Sequence, residues 1–360
     1  MLMNEIKKSR IHFHTFDSLR FLAFLLVFLS HSPIPKDSFL GYFTKSGGIG
    51  VAFFFVLSGF LITYILLIEK VNEGKINLRN FFKRRILRIW PLYYAMILFA
   101  FCTPYILNYL QVPDSGEGYE PNWLMSLVFL ENYKMMSTHR FPNVSPLIVM
   151  WTLCIEEHFY ILWGVLLYFI PLKKIPHLII ASISLSVICI IIYGRLGIPA
   201  LDIFTNIGYF AFGAIPAVIF VFYEKLVVKL NNISLLTKFI YAAIVIMAIL
   251  LISNAVIILN SAVNSLILGT LLSILILFTL GEKNVLKISD NSWMAQLGKY
   301  TYGLYMIHTI IIVFLLKIGG KLDWNVYLIT TVSLIITIIF SFLSYHLFEK
   351  QFLKLKKKIN

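Results

Sequence analysis

Charge is what this chain has least of. Lys, Arg, Asp and Glu make up 13% of its 360 residues, while 59% are hydrophobic. That balance excludes a disordered chain and an ordinary soluble globule, whose surface needs roughly a quarter of its residues charged. Acidic residues are scarcer still, 17 against 31 basic ones, for a net charge of +14. Cysteine is nearly absent: Cys102, Cys154 and Cys189 each sit inside an apolar run, with no CxxC spacing. Neither a disulfide framework nor a metal site is indicated, and no metal is expected. No internal repeat is visible, which counts against an inverted-repeat transporter. No cleavable signal peptide is expected, because the first apolar run, from near Phe16, is followed by further spans and reads as a retained helix.

Long hydrophobic runs are what the chain has instead. Ten candidate spans lie at about 16–31, 49–68, 90–110, 146–170, 177–193, 201–223, 237–256, 262–280, 299–317 and 324–345. The basic residues fall between these runs, so they read as topology and not as a nucleic-acid surface. With the N-terminus placed in the cytoplasm, 23 basic residues fall inside and seven outside. The inner set includes Lys7, Lys8, Arg10, Lys283, Lys299, Lys357 and Lys358. Such a bias is the positive-inside signal, and an even span count returns the C-terminus to the same side. The expectation is an all-α, polytopic integral membrane protein of about ten transmembrane helices with both termini cytoplasmic. Residues 1–360 form one transmembrane domain, a helical bundle over about 10–348 and a short basic tail from 349. The longest stretch outside the spans is the outer loop of about 111–145.

Against this apolar background a few polar residues stand out. Arg20 and His31 share the first span, in FDSLRFLAFLLVFLSH. Eleven steps of about 100° return a helix to nearly the same face, and the rise between them is roughly 16 Å, about half a bilayer core. Polar groups so placed are functional candidates by default. The plainer alternatives are an interfacial histidine and an arginine that snorkels to headgroups or pairs with Asp17 one turn earlier. Histidine suits general-base or nucleophilic work.

A second group is NFFKRRILRIWPLYY, where Lys83, Arg84, Arg85 and Arg88 precede the third span. Arg84 and Arg88 are four apart and share a face, with Arg85 adjacent. Guanidinium groups bind phosphates bidentately, although a juxtamembrane basic cluster often only fixes orientation. The third group is WTLCIEEHFYILW, where Glu156 and Glu157 cannot both face lipid. Glu156 shares a face with Tyr160 and is expected to point into the bundle beside His31, where a carboxylate can orient an imidazole. In LGKYTYGLYMIH, Tyr305 and His308 share a helix face, and His308 reads as a hydrogen-bonded interior residue before a catalyst. Gly47, Gly48, Gly50, Ser58 and Gly59 cluster around the start of the second span, where small residues allow close helix approach or a re-entrant turn at the outer surface, simple packing being the plainer reading.

Taken together these segments resemble the acyltransferase-3 family of integral membrane acyltransferases. The family pattern has an arginine, ten residues and a histidine on the first helix, matched by Arg20 and His31. Its G-V-x-x-F-F-V-L-S-G-F-L-I-T stretch is matched by Gly50 to Thr63, and its R-x-x-R loop by Arg85 and Arg88. Its W-S-L-x-x-E-E-x-F-Y is matched by Trp151 to Tyr160, and its late S-Y-x-x-Y-x-x-H by Thr301 to His308, with Glu349 beyond the last span. The chain departs from the pattern at Ala52, Thr152, His158 and Thr301.

The resemblance implies transfer of an acyl group, most often acetyl, from cytoplasmic acyl-CoA to a hydroxyl of an extracytoplasmic carbohydrate. It implies a multi-pass protein of a bacterial-type cytoplasmic membrane, with acyl-CoA, the glycan acceptor and the bilayer as partners and no nucleic acid. His31 and Glu156 would be catalytic. Arg20, Arg84, Arg85 and Arg88 would hold the donor, and Glu157, Tyr160, Tyr305 and His308 the substrate. Some members carry an appended hydrolase-like domain, for which this length leaves no room. The rival reading is a transporter or flippase of a glycan or lipid-linked intermediate, in which the same polar residues mark a pathway.

Overall fold

The computed structural model describes residues 11–109, 111, 118–256, 260–281 and 284–356. Ten long helices carry the fold: α1 His14–His31, α2 Gly47–Glu73, α3 Leu78–Tyr109, α4 Trp151–Phe169, α5 Ile175–Leu196, α6 Ile203–Phe222, α7 Leu235–Ser253, α8 Ser261–Thr279, α9 Thr301–Lys321 and α10 Val326–Ser344. No strand occurs among the described residues, where only an isolated bridge joins Tyr119 to Pro142. The protein is an all-α, polytopic membrane protein. Nine of these helices are long and apolar enough to cross a bilayer. The tenth expected span is α1, an 18-residue helix whose apolar run is interrupted by His14, Asp17, Arg20 and His31. It is nonetheless an inner helix, with Phe21, Phe24 and Phe28 almost wholly buried.

Two expected boundaries move, and each has a local cause. The third span was expected from residue 90, but α3 begins at Leu78. The basic cluster Lys83 to Arg88 therefore lies on helix and not in a loop, so the azimuth of each arginine is fixed. Arg, Leu and Lys are good helix formers, and the Asn77 side chain caps the start by accepting from the Asn80 N–H at 3.0 Å. At the other end, α10 runs through a π turn at Tyr345–Glu349 into a further helix, Lys350–Lys356, that packs on α3. The segment expected to be a tail is thus helical as far as 356. Of the basic residues that set the charge bias, Lys7, Lys8, Arg10, Lys283, Lys357 and Lys358 lie outside the described residues.

Small residues bring the helices together. α2 is the axis of the bundle and packs most extensively on α6 and then on α1. A Cβ at Gly59 would overlap the Phe210 carbonyl, and one at Gly213 would overlap the Val56 carbonyl, so α2 and α6 touch backbone to backbone. Gly50 likewise lies on the Ala23 carbonyl of α1. Phe210 stacks on Phe55 at 4.7 Å and on Phe159 at 3.9 Å, which joins α6, α2 and α4. Beneath α1, the short helix Trp293–Gly298 sets Gly298 against the Asp17 carbonyl. In the long loop before α4, buried Glu131 accepts from Tyr119 Oη at 2.6 Å and Ser126 Oγ at 2.9 Å.

Replacing Gly213 with Val forces α2 and α6 apart. Overpacking of this kind costs about 1–3 kcal/mol, so the detergent-purified variant is expected to melt several degrees lower. Gly48→Ala, at a site with nothing within 4 Å of the added carbon, is expected to leave the melting temperature unchanged or slightly raised.

Candidate functional site

A cavity of about 870 Å³, its open mouth included, lies among α1, α2, α3, α4 and α9. Its rim is cationic: exposed Arg88 and Lys299, then partly buried Arg20. Arg85 stands further in, only 8% exposed. Its guanidinium lies 5.8 Å from the Phe81 ring and 5.7 Å from the Tyr160 ring. Its Nε is buried with no hydrogen-bond partner among the described residues. A buried cation held by ring faces, with a donor to spare, is a ready receptor for an anion. Arg20 donates to Asp17 Oδ1 at 2.7 Å, so the ion pair expected as an alternative is present and Arg20 still lines the cavity. The floor is formed by buried Thr152 and Tyr305, with Phe54 beside them. Thr152 Oγ1 donates to Tyr305 Oη at 2.9 Å, and Tyr305 Oη donates on to the Val149 carbonyl at 3.3 Å.

Glu156 enters this cavity, but not beside His31. Ser58 Oγ donates to its Oε1 at 2.8 Å and Tyr160 Oη to its Oε2 at 3.1 Å. The carboxylate therefore faces the arginines, where a negative charge offsets part of their mutual repulsion. The expected Glu156–His31 pairing gives way to this one, because the inward face of α4 at Glu156 meets α2 at Ser58. Two other expected members point elsewhere. Arg84 lies 3.8 Å from Glu69 Oε2 and its Nε donates to the Asn80 carbonyl at 3.2 Å. Glu157 is buried on another face of α4, where its Oε2 accepts from Trp90 Nε1 at 3.3 Å.

The histidines gather at the far end of α1. His31 and His308 pack edge to face, with ring centroids 5.1 Å apart and His308 Nε2 3.4 Å from His31 Nδ1. Carbonyl partners assign both tautomers, since a carbonyl can only accept. His308 Nδ1 donates to the Tyr305 carbonyl at 2.7 Å, which leaves its Nε2 bare and facing His31. His31 Nδ1 donates to the Val27 carbonyl at 2.9 Å. The Nε2 of His31 is then the unprotonated nitrogen, on a side chain that is exposed. Such an imidazole can accept a proton or attack a carbonyl, with its ring fixed from behind. Tyr305 joins the two halves: its hydroxyl floors the cavity, and its ring lies 5.7 Å from the fully buried His308.

Several cavity residues carry no signal in isolation. Lys299 reads as one more inner-loop charge. Ser58 reads as a small packing residue, and Tyr302, whose hydroxyl donates to the Ile89 carbonyl at 2.7 Å, as an interface aromatic. Tyr302 is three residues before Tyr305, so the shared face of α9 was available as a clue.

The chain as a whole is similar to known proteins. A family model described as an acyltransferase domain, that of the acyltransferase-3 family, matches residues 13–346. The chain is 29% identical over 358 residues to YrhL of Bacillus subtilis (strain 168), a provisionally named peptidoglycan O-acetyltransferase, covering 93% of this chain and 54% of that protein. It is 35% identical over 179 residues to the peptidoglycan O-acetyltransferase OatA of Listeria monocytogenes, covering 48% of this chain and 27% of that one. A provisionally named O-acetyltransferase of Staphylococcus aureus (strain COL) is 28% identical over 366 residues, 94% of this chain and 57% of its own. The chain thus spans about half the length of the curated relatives it matches along most of its length. No solved structure matches.

Removing the Ser58 hydroxyl takes one of the two hydrogen bonds from the Glu156 carboxylate. Because Glu156 also faces the open cavity, Ser58→Ala is expected to cost about 1 kcal/mol, the low end for a bond to a charged group, read as a lower midpoint of thermal unfolding in detergent.

Proposed function

Because the chain belongs to the acyltransferase-3 family, we propose that it transfers an acyl group, acetyl first among them, from cytoplasmic acyl-CoA to a hydroxyl of an extracytoplasmic carbohydrate. The observation that carries this reading is the cationic cavity lined by Arg20, Arg85 and Arg88, in which Tyr305 packs against His308 of the His31–His308 pair. The O-acetyltransferase names of the relatives support acetyl as the group, and two of those names make peptidoglycan the first acceptor to try. The charge bias of the loops supports a cytoplasmic mouth for the cavity. The protein would lie in a bacterial-type cytoplasmic membrane.

In this reading the phosphates of CoA bind at Arg20, Arg85 and Arg88, with Lys299 at the rim, through charge-assisted bidentate hydrogen bonds. Glu156, held by Ser58 and Tyr160, keeps those guanidinium groups apart and oriented instead of serving His31. The extended pantetheine arm reaches inward along α1 past Phe54 and Tyr305. The thioester carbonyl then comes to His31 Nε2. His31 either removes the proton of the acceptor hydroxyl as that oxygen attacks the carbonyl, or attacks first and passes the acyl group on. Either way the carbon–sulfur bond breaks, an ester C–O bond forms, and the CoA thiolate leaves and takes up a proton. Val27 and His308 hold the His31 ring for this task. Arg84 and Glu157 act at a distance, through α3 position and packing.

Membranes carrying His31→Ala, given labelled acetyl-CoA and acceptor glycan, are expected to lose transfer by at least about a hundredfold, the scale of general-base contributions; undiminished turnover would remove His31 from the reaction. Acyl-CoA is expected to raise the melting temperature of the purified protein, by linkage to the folded state. The Arg85→Glu, Arg88→Glu double variant is expected to lose that rise, and an unchanged rise would place the donor elsewhere.

A further inference from the structure

At the start of α1, on the same side of the bundle as the cavity mouth, three ligand-type side chains converge outside the site described above. His12 Nε2, His14 Nδ1 and the Asp290 carboxylate lie within 4.8 Å of one another. His14 Nδ1 is 2.6 Å from Asp290 Oδ2, which an ordinary hydrogen-bonded ion pair explains. The remaining pair, His12 with Asp290, is a looser and partly exposed ion-pair contact. Asp290 Oδ1 is buried with no hydrogen-bond partner among the described residues, and it faces His12 Nε2 at 3.5 Å. That is too long for a strong hydrogen bond. It is, however, the spacing of two donor atoms on one cation, since ligands at about 2.1 Å in tetrahedral geometry stand roughly 3.4 Å apart. The imidazoles meet edge to face with centroids 4.9 Å apart, so their nitrogens can share a focus. Asp290 is placed from behind, because its backbone carbonyl accepts from Gln296 Nε2 at 2.6 Å.

We infer that His12, His14 and Asp290 bind one divalent transition-metal cation of the zinc class. Two imidazoles and a carboxylate make a donor set such ions favour, with one or more positions left for water. The cation would replace the proton between His14 and Asp290 and satisfy Asp290 Oδ1. It would also tie two elements together. α1 carries Arg20, and the segment that follows Asp290 carries Gly298 and Lys299, all on the cavity wall. Ile288 N already donates to Thr15 Oγ1 at 3.2 Å across the same junction. The sequence expectation of no metal rested on the cysteines. The H-x-H pair at residues 12–14 becomes a site only once the fold delivers Asp290 from 276 residues away.

The test uses the full chain in detergent, purified without a histidine tag and stripped of metal. Titration with Co2+, followed by visible absorption, and with Zn2+, followed by calorimetry, is expected to show one saturable site per chain. Asp290→Asn and His14→Asn are each expected to weaken binding at least tenfold, the scale on which disturbing a metal site is felt. His14→Asn keeps a hydrogen-bond donor toward Asp290, so loss of the ion pair alone does not mimic loss of the ligand. Should either variant fail to purify as a folded monodisperse species, His12→Gln, at an exposed side chain, carries the same expectation. Absence of one-to-one binding in the wild type, or binding unchanged in the folded variants, would overturn the assignment.

Discussion

Every other feature of this bundle depends on the need to hold cations inside an apolar structure. A guanidinium is costly to bury away from water, and its burial is tolerated on condition that partners offset part of that cost. Arg85 meets this condition with two ring faces and the nearby Glu156. Arg20 meets it with Asp17 on its own helix. These solutions fix rotation: α1, α3 and α4 cannot turn without exposing a charge to hydrocarbon. The glycine contacts of α2 with α6 and α1 then decide how closely the helices stand. Polar placement sets the azimuth, and small residues set the distance.

Seen this way, what was and was not legible in the sequence follows from the geometry of helices. The spans were legible because hydrophobic length is a one-dimensional property, and nine of the ten emerge as helices long and apolar enough to cross a membrane. α1 emerges as a helix that falls short of that mark, since His14, Asp17, Arg20 and His31 lower its hydropathy. Facing was legible only within a helix. Arg85 and Arg88 reach the cavity while Arg84 turns to Glu69, and Glu156 enters it while Glu157 turns to Trp90. Adjacent residues on a helix differ by about 100°, so one of each pair had to leave the site. Which one leaves depends on a neighbouring helix that periodicity cannot name. The carboxylate expected beside His31 fails for that reason, because the contact of α4 with α2 through Ser58 is long-range. His308 behind His31 is long-range too, and only the motif that contains it offered a hint.

The separation of the two polar groups has a physical logic of its own. A polar path running from Lys299 to His31 would be a water-filled route across the bundle, and a membrane protein with such a route leaks ions. Instead the hydroxyls of Thr152 and Tyr305, which line the cavity, are occupied with each other and with the Val149 carbonyl. The wall beyond them is made of rings, with Tyr305 on one side and His308 and His31 on the other. A slender, uncharged arm can pass between rings where a hydrated ion cannot, since the arm brings no hydration shell to be stripped. If the donor is an acyl thioester on such an arm, its anionic end stays at the arginines and its neutral end does the travelling. The roughly 16 Å between Arg20 and His31 is then the distance over which charge must not follow.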